Sequence, residues 1–139
     1  MRPYNCYLTA DTLVVSGNDV VLVRRKNEPF QGMWCFPGGF VEQDETVLSG
    51  AKRELSEETG ITGLEIEEFG AYGDPGRDPR GRTVTLVYWT IVEKKAALNA
   101  GDDAAECSWF SLDDLPPLAF DHPRIAEDLR QRIKKRNGL

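Results

Sequence analysis

Histidine is nearly absent from this chain, His122 being the only one. Cysteine is scarce as well: Cys6, Cys35 and Cys107 are odd in number and form no CxxC pair. The two shortages argue against a zinc site and against a disulfide framework. Reduced, buried thiols are expected instead, as in a cytoplasmic protein. No apolar run approaches the length of a bilayer span, and the opening Met1-Arg2-Pro3-Tyr4-Asn5 lacks the apolar core of a signal peptide, so the mature protein is expected to begin near Met1. Basic charge is in deficit, with 17 Lys and Arg against 23 Asp and Glu and a net charge of -6. That balance disfavours nonspecific binding to nucleic acid or to anionic membrane, both of which demand basic surface.

What remains is enough for one domain. The 139 residues are 40% hydrophobic, sufficient for a proper core over 1–139 without a second domain. Two β-rich runs, Tyr4 to Val15 and Asp19 to Arg25, flank the turn signal Ser16-Gly17-Asn18 and predict a hairpin. Short extended pieces are expected at Trp34 to Phe36 and Gly39 to Val41, and strands at Ile61 to Tyr72, Arg82 to Val92 and Ala105 to Phe110. The run RTVTLVYWTIV is apolar on both faces in its second half, as an interior strand would be. Ser111 to Leu115 predicts a short capped helical turn, and Pro123 to Arg136 a terminal helix with Ile125, Ala126 and Leu129 inward. Strands interleaved with two substantial helices favour a layered α/β domain.

The most informative segment runs from Gly39 to Ile61, GFVEQDETVLSGAKRELSEETGI. From about Thr46 to Thr59 it holds good helix formers and no proline, and Gly60 stands where a left-handed terminus would want it. On a helical wheel Val47, Leu48, Ala51 and Leu55 form one apolar stripe, with Glu54 and Glu58 at its edge or within it. A solvated glutamate face with i,i+4 pairs such as Arg53 with Glu57 is the ordinary reading of such a helix. It fits badly here, because carboxylates beside a buried stripe need a counter-charge. Glu54, Glu57 and Glu58 are spaced to converge within one turn, and a divalent cation relieves their repulsion economically. The donors are all oxygen, which suits Mg²⁺, with Mn²⁺ also admitted, and a phosphorylated substrate. Gly50, one turn before Glu54, leaves the cluster uncovered.

Read as Gly39, Glu45 and then Arg53-Glu54-Leu55-Ser56-Glu57-Glu58-Thr59-Gly60-Ile61, the segment resembles the signature of the Nudix hydrolases at every specified position. The resemblance implies an α/β/α sandwich with a mixed curved sheet, the signature forming a loop-helix-loop. It implies Glu54 and Glu58 as metal ligands, Glu57 as ligand or base, Arg53 orienting a glutamate, Glu45 bracing the helix start, and a carbonyl from Gly38 or Gly39 in the metal shell. Many relatives add an acid from a later loop, for which Asp103 and Glu106 rank above Asp102.

The stretch Gly73 to Arg82, with Arg77, Arg80 and Arg82 inside six residues, reads either as a surface connection or as a phosphate-recognising loop. Together with Ala119-Phe120-Asp121-His122 it resembles the ADP-ribose pyrophosphatase-like branch of the family, and Pro75 and Pro79 straddle the place where many such enzymes carry a marker proline. The resemblance implies hydrolysis of a nucleoside diphosphate-linked substrate, ADP-ribose giving AMP and ribose 5-phosphate, in a possible homodimer. A nucleoside triphosphate pyrophosphohydrolase and a noncatalytic nucleotide sensor are the alternatives. Arg77, Arg80 and Arg25 (or Arg24) are the substrate-binding candidates. Tyr4, Tyr7, Phe30, Trp34, Tyr88 and Trp89 read as core more readily than as base-stacking platforms, and His122 as a structural residue at a helix start.

Overall fold

The computed structural model describes residues 4–101 and 104–138, so the candidate Asp103 lies outside the described residues. Nine elements follow one another: β1 (Tyr7–Ser16), β2 (Asp19–Arg25), β3 (Trp34–Cys35), β4 (Gly38–Phe40), α1 (Val47–Thr59), β5 (Glu67–Tyr72), β6 (Thr83–Ile91), β7 (Ala104–Ser111) and α2 (His122–Arg136). All seven strands join one mixed sheet, with the path β3-β2-β1-β6-β5, β4 pairing β1 and β7 pairing β2.

β1 is the spine. It runs parallel to β6 from Tyr7↔Thr83 to Val15↔Ile91, and it is buried from Thr9 to Ser16. On its other side it changes partner. Near the hairpin turn it pairs β2 through Val15↔Val20 and Ser16↔Asp19. Further back it pairs β4 through Thr9↔Phe40, Ala10↔Gly39 and Asp11↔Gly38. β2, paired with β7 along its whole length, has by then exchanged β1 for β3. The two halves of the sheet therefore splay apart, and the gap between them is where a ligand can enter.

Side-chain alternation along β1 supplies both cores. Leu13 and Val15 pack with Val20, Leu22, Ile125, Ala126 and Leu129 on the α2 side. Ala10 and Val14 pack with Ala51 and Leu55 on the α1 side. A fully buried leucine such as Leu13 or Leu129 contributes ~1.5–3 kcal/mol of hydrophobic stabilisation. Helices on both faces of a mixed sheet make the α/β/α sandwich that the signature implies.

Four expectations need correction. Residues 61–66 form a connection, with the strand beginning only at Glu67, because Ile61 and Ile66 are buried as anchors beneath α1 rather than alternating on a sheet edge. Ser111 to Leu115 is a turn that ends β7, with no helical turn, its Asp113 N–H capped by the Ser111 hydroxyl. Leu48 is exposed, since the sheet covers only the Ala51–Leu55 side of α1. Gly50 is buried for a different reason than access to the cluster: a Cβ there would meet a Glu45 carboxylate oxygen at 2.9 Å.

Candidate active site

Helix α1 is capped at both ends by its own sequence. The Thr46 hydroxyl accepts from the Ser49 N–H at 3.1 Å, and Gly60 takes the left-handed conformation at φ 78° that a side chain would resist. Between the caps Arg53 gathers the carboxylates. Its guanidinium reaches Glu45 at 2.7 Å, Glu54 at 2.9 Å and Glu57 at 3.3 Å, and donates to the Phe40 carbonyl at 3.1 Å. Glu45 also accepts from the Glu42 N–H at 2.8 Å, closing the loop at the helix start. The Arg53 hydrogen bonds hold the Glu45 carboxyl down at about 2, and the same bonds raise Arg53 above its ordinary value.

Glu58 lies on the buried side of α1 at 8% exposure, its carboxylate accepting from the Gly38 N–H at 2.8 Å. β4 is thereby pressed against the helix. A Cβ on Gly39 would stand 2.7 to 2.8 Å from the Glu54 carboxylate, so the close approach of backbone to carboxylate requires glycine there. Glu54, Glu57, Glu58 and the Gly38–Gly39 backbone thus form one oxygen-rich corner, chemically fit for a hard divalent cation. Among the described residues, however, no three acidic, histidine or cysteine side chains stand together as a ready ligand set. The expected convergence within one turn is not seen, because Arg53 draws Glu54 and Glu57 to itself while Glu58 turns to Gly38. A cation entering here competes with the guanidinium.

Beside that corner opens a narrow cleft of about 40 Å³. Asp11, Arg25, Gly38, Gly39, Arg80 and Phe120 are among its walls, and Arg80 links it to a hollow of about 700 Å³ bounded by Glu28, Pro29, Phe30 and Pro79. The arginine loop and the AFDH segment prove to be one unit. Arg77, with a side chain only 4% exposed, makes a bidentate pair with Asp121 at 2.7 and 2.9 Å, and Arg124 reaches Asp74 at 2.8 Å. Burial works to lower the Arg77 pKa, but the Asp121 carboxylate outweighs it and the group is held above its ordinary value. Arg80 pairs with Asp78 at 2.8 Å. Burial of Asp78 works to raise its pKa, and the Arg80 hydrogen bonds prevail and hold it low.

Glu106 is not brought to the corner. Pairing opposite Arg24, with which it forms a 3.2 Å ion pair, it shares its face of the sheet with Leu22 and the α2 core, whereas its neighbour Cys107 opposite Val23 faces the other side. A one-residue offset in a strand decides the face. Arg24 stands with Glu106, and Arg25 alone of the two lines the cleft.

Asp11 was not singled out by sequence, though a carboxylate inside the β-branched run YLTADTLVV was a signal. It is buried on β1, accepts from the Thr85 hydroxyl at 2.6 Å and is pushed up to about 7 by desolvation. His122 faces it across 3.8 Å through Nε2. The histidine Nδ1 accepts from the Phe36 N–H at 3.1 Å, and burial pushes the ring down to about 3. The neutral imidazole therefore ties the start of α2 to the segment leading into β4.

The NUDIX domain profile matches residues 7–129. The chain belongs to the Nudix family. It is 42% identical to the ADP-ribose pyrophosphatase of Methanocaldococcus jannaschii, over 92% of this chain and 78% of that one. It is 33% identical to the ADPR-responsive transcriptional repressor NtrR of Acinetobacter baylyi, over 84% of this chain, which spans only 48% of the repressor. Its Nudix fold superimposes on the NUDIX domain of Shewanella oneidensis NrtR complexed with ADP ribose with a TM-score of 0.86, at 32% identity, covering 94% of this chain and 90% of that one. Nudix ADP-ribose pyrophosphatases depend on divalent metal and act on small nucleotide substrates, in keeping with the oxygen-donor corner. No described helix is long and apolar enough to cross a membrane.

Proposed function

We infer that this Nudix chain hydrolyses ADP-ribose to AMP and ribose 5-phosphate with Mg²⁺, or Mn²⁺ in its place, acting as a single domain in the cytoplasm. The observation that carries the reading is the meeting of the Glu54-Glu57-Glu58 corner with a cleft walled by Arg25 and Arg80. One end is built for a cation and the other for an anion. A diphosphate satisfies both.

Glu54 and Glu58 would hold the ion beside the Gly38–Gly39 backbone, and Arg53 would orient Glu54 while Glu45 fixes Arg53. Bound there, the ion supplies charge neutralisation of the diphosphate and activation of water. Arg25 and Arg80 take phosphate oxygens at the other end of the cleft. Water attacks one phosphorus, the bridging P–O bond breaks and two phosphate monoesters leave. Glu57, the most exposed of the three glutamates at 44%, would accept the water proton or serve as a further ligand. Arg77 is committed to Asp121 and acts on substrate through the loop it holds.

A nucleotide-sensing role is the second reading, favoured by the likeness to the repressor NtrR. Direct DNA binding is disfavoured by the acidic balance, and a homodimer is expected by analogy within the family. The test is Mg²⁺-dependent turnover of ADP-ribose, NADH, diadenosine polyphosphates, nucleotide sugars and oxidised nucleoside triphosphates, with products resolved by chromatography. AMP from ADP-ribose well above the rest is the expected result. Preference for a triphosphate would overturn the substrate, and binding without turnover would favour the sensor.

A further inference from the structure

Two phenylalanines, Phe30 at φ 60° and Phe120 at φ 55°, are the non-glycine residues with left-handed backbone among those described. Bulky side chains rarely accept that conformation, and such outliers persist where surrounding structure enforces them. Phe30 comes from the β2–β3 connection and Phe120 from the AFDH segment before α2, yet they pack edge to face with centroids 4.8 Å apart. The same Phe120 ring carries two cations. The Arg25 guanidinium lies 4.9 Å from its centroid and that of Arg80 5.6 Å, with Arg80 also 4.6 Å from the Phe40 ring on the far side.

Like charges gathered on one ring need an anion. Arg80 has Asp78. Arg25 donates its Nε–H to the neutral Pro29 carbonyl at 2.6 Å and, among the described residues, forms no ion pair with a carboxylate. Both line the cleft beside Gly38 and Gly39. We propose that Phe120, braced by Phe30, is a positioning residue for substrate affinity: its ring is the shelf that aims Arg25 and Arg80 at the diphosphate. The inference deepens the reading of the site as a diphosphate hydrolase. The left-handed φ at residue 120 accompanies a ring set against both guanidiniums while the next residue, Asp121, pairs with Arg77.

The test compares wild type with Phe120→Leu, which keeps apolar bulk but loses the π face, and Phe120→Tyr, which keeps the face. Phe120→Leu is expected to raise KM for ADP-ribose on the order of tenfold, the scale of a partly desolvated cation–π contact, while lowering kcat far less. Phe120→Tyr should restore a near-native KM. Within an Arg25→Ala/Arg80→Ala background, adding Phe120→Leu should cost less than about twofold, because contacts that act as one unit are not additive. An unchanged KM in Phe120→Leu, equal damage by Tyr and Leu, or a full effect in the arginine-free background would each overturn the proposal. Should the wild type leave ADP-ribose intact, which sinks the functional reading instead, the same proteins are titrated with inorganic pyrophosphate. Weaker binding by Phe120→Leu alone would then support the shelf, and equal binding would sink it.

Discussion

The glutamate corner and the arginine loop handle charge in opposite ways. In the corner, Glu45, Glu54 and Glu57 share one guanidinium, Arg53, while Glu58 accepts from the Gly38 N–H beside them. In the loop, arginines and aspartates are matched in pairs, Arg77 with Asp121, Arg80 with Asp78 and Arg124 with Asp74. An unbalanced cluster beside a buried helix face is unfavourable on its own and marks a place for a cation. A balanced one is a frame: Arg77, 4% exposed, is committed to Asp121, whereas Arg80, 36% exposed, keeps Asp78 and still lines the cleft. Under the proposed function the corner would govern the chemical step and the loop affinity.

The largest effect should come from breaking the corner. Glu57→Gln and Glu58→Gln are expected to fold normally by near-ultraviolet circular dichroism and to lose turnover on the order of a thousandfold. Near-normal kcat with excess Mg²⁺ would remove them from the metal site. Next is the frame. Arg77→Met leaves the Asp121 carboxylate without its guanidinium and should cost about 3 kcal/mol in urea unfolding, with kcat less affected than stability. If turnover fell while stability held, Arg77 would belong with the chemistry.

A smaller effect sharpens the contrast inside the loop. Arg80→Ala, removing a partly exposed side chain, should raise KM roughly tenfold with little change in melting temperature, the reverse of Arg77→Met. The least effect concerns pH. His122 is held at about 3 in the fold against an ordinary value near 6.5, so the unfolded chain binds more protons between those values. Its contribution is fully present above about 6.5 and is lost as pH falls toward about 3. Asp11, held at about 7 in the fold, gives the opposite slope between about 4 and 6.5, so the two groups offset each other there. His122→Asn, which keeps an acceptor for the Phe36 N–H, should therefore make stability measured by chemical unfolding fall as pH rises through that window. An unchanged slope would assign the acid sensitivity to other groups.

Much of the fold was legible in residues with local reasons to behave as they do. The hairpin at Ser16-Gly17-Asn18, the helix from Thr46 to Gly60 and the inward face of α2 at Ile125, Ala126 and Leu129 follow from turn chemistry, caps and period. Positions set by partners far along the chain were less legible. Leu48 has the right period for burial and lies beyond the reach of the sheet. Glu106 has the right chemistry and the wrong strand face. Asp11 shows only as a carboxylate in a β-branched run until β4 and Thr85 are placed around it.

By itself, the sequence determined which groups would matter: a set of oxygen donors, a loop of arginines and a helix with both ends specified, each a matter of local spacing and residue chemistry. Tertiary structure decided what each group would do. The splay of β1 from β2 opened the cleft, β4 pressed its glycines against Glu54 and Glu58, and Asp121 claimed Arg77 while Phe120 and Phe30 met across ninety residues of chain. Those outcomes depend on which charges and rings lie within a few ångströms of each other, and no local pattern contains that distance.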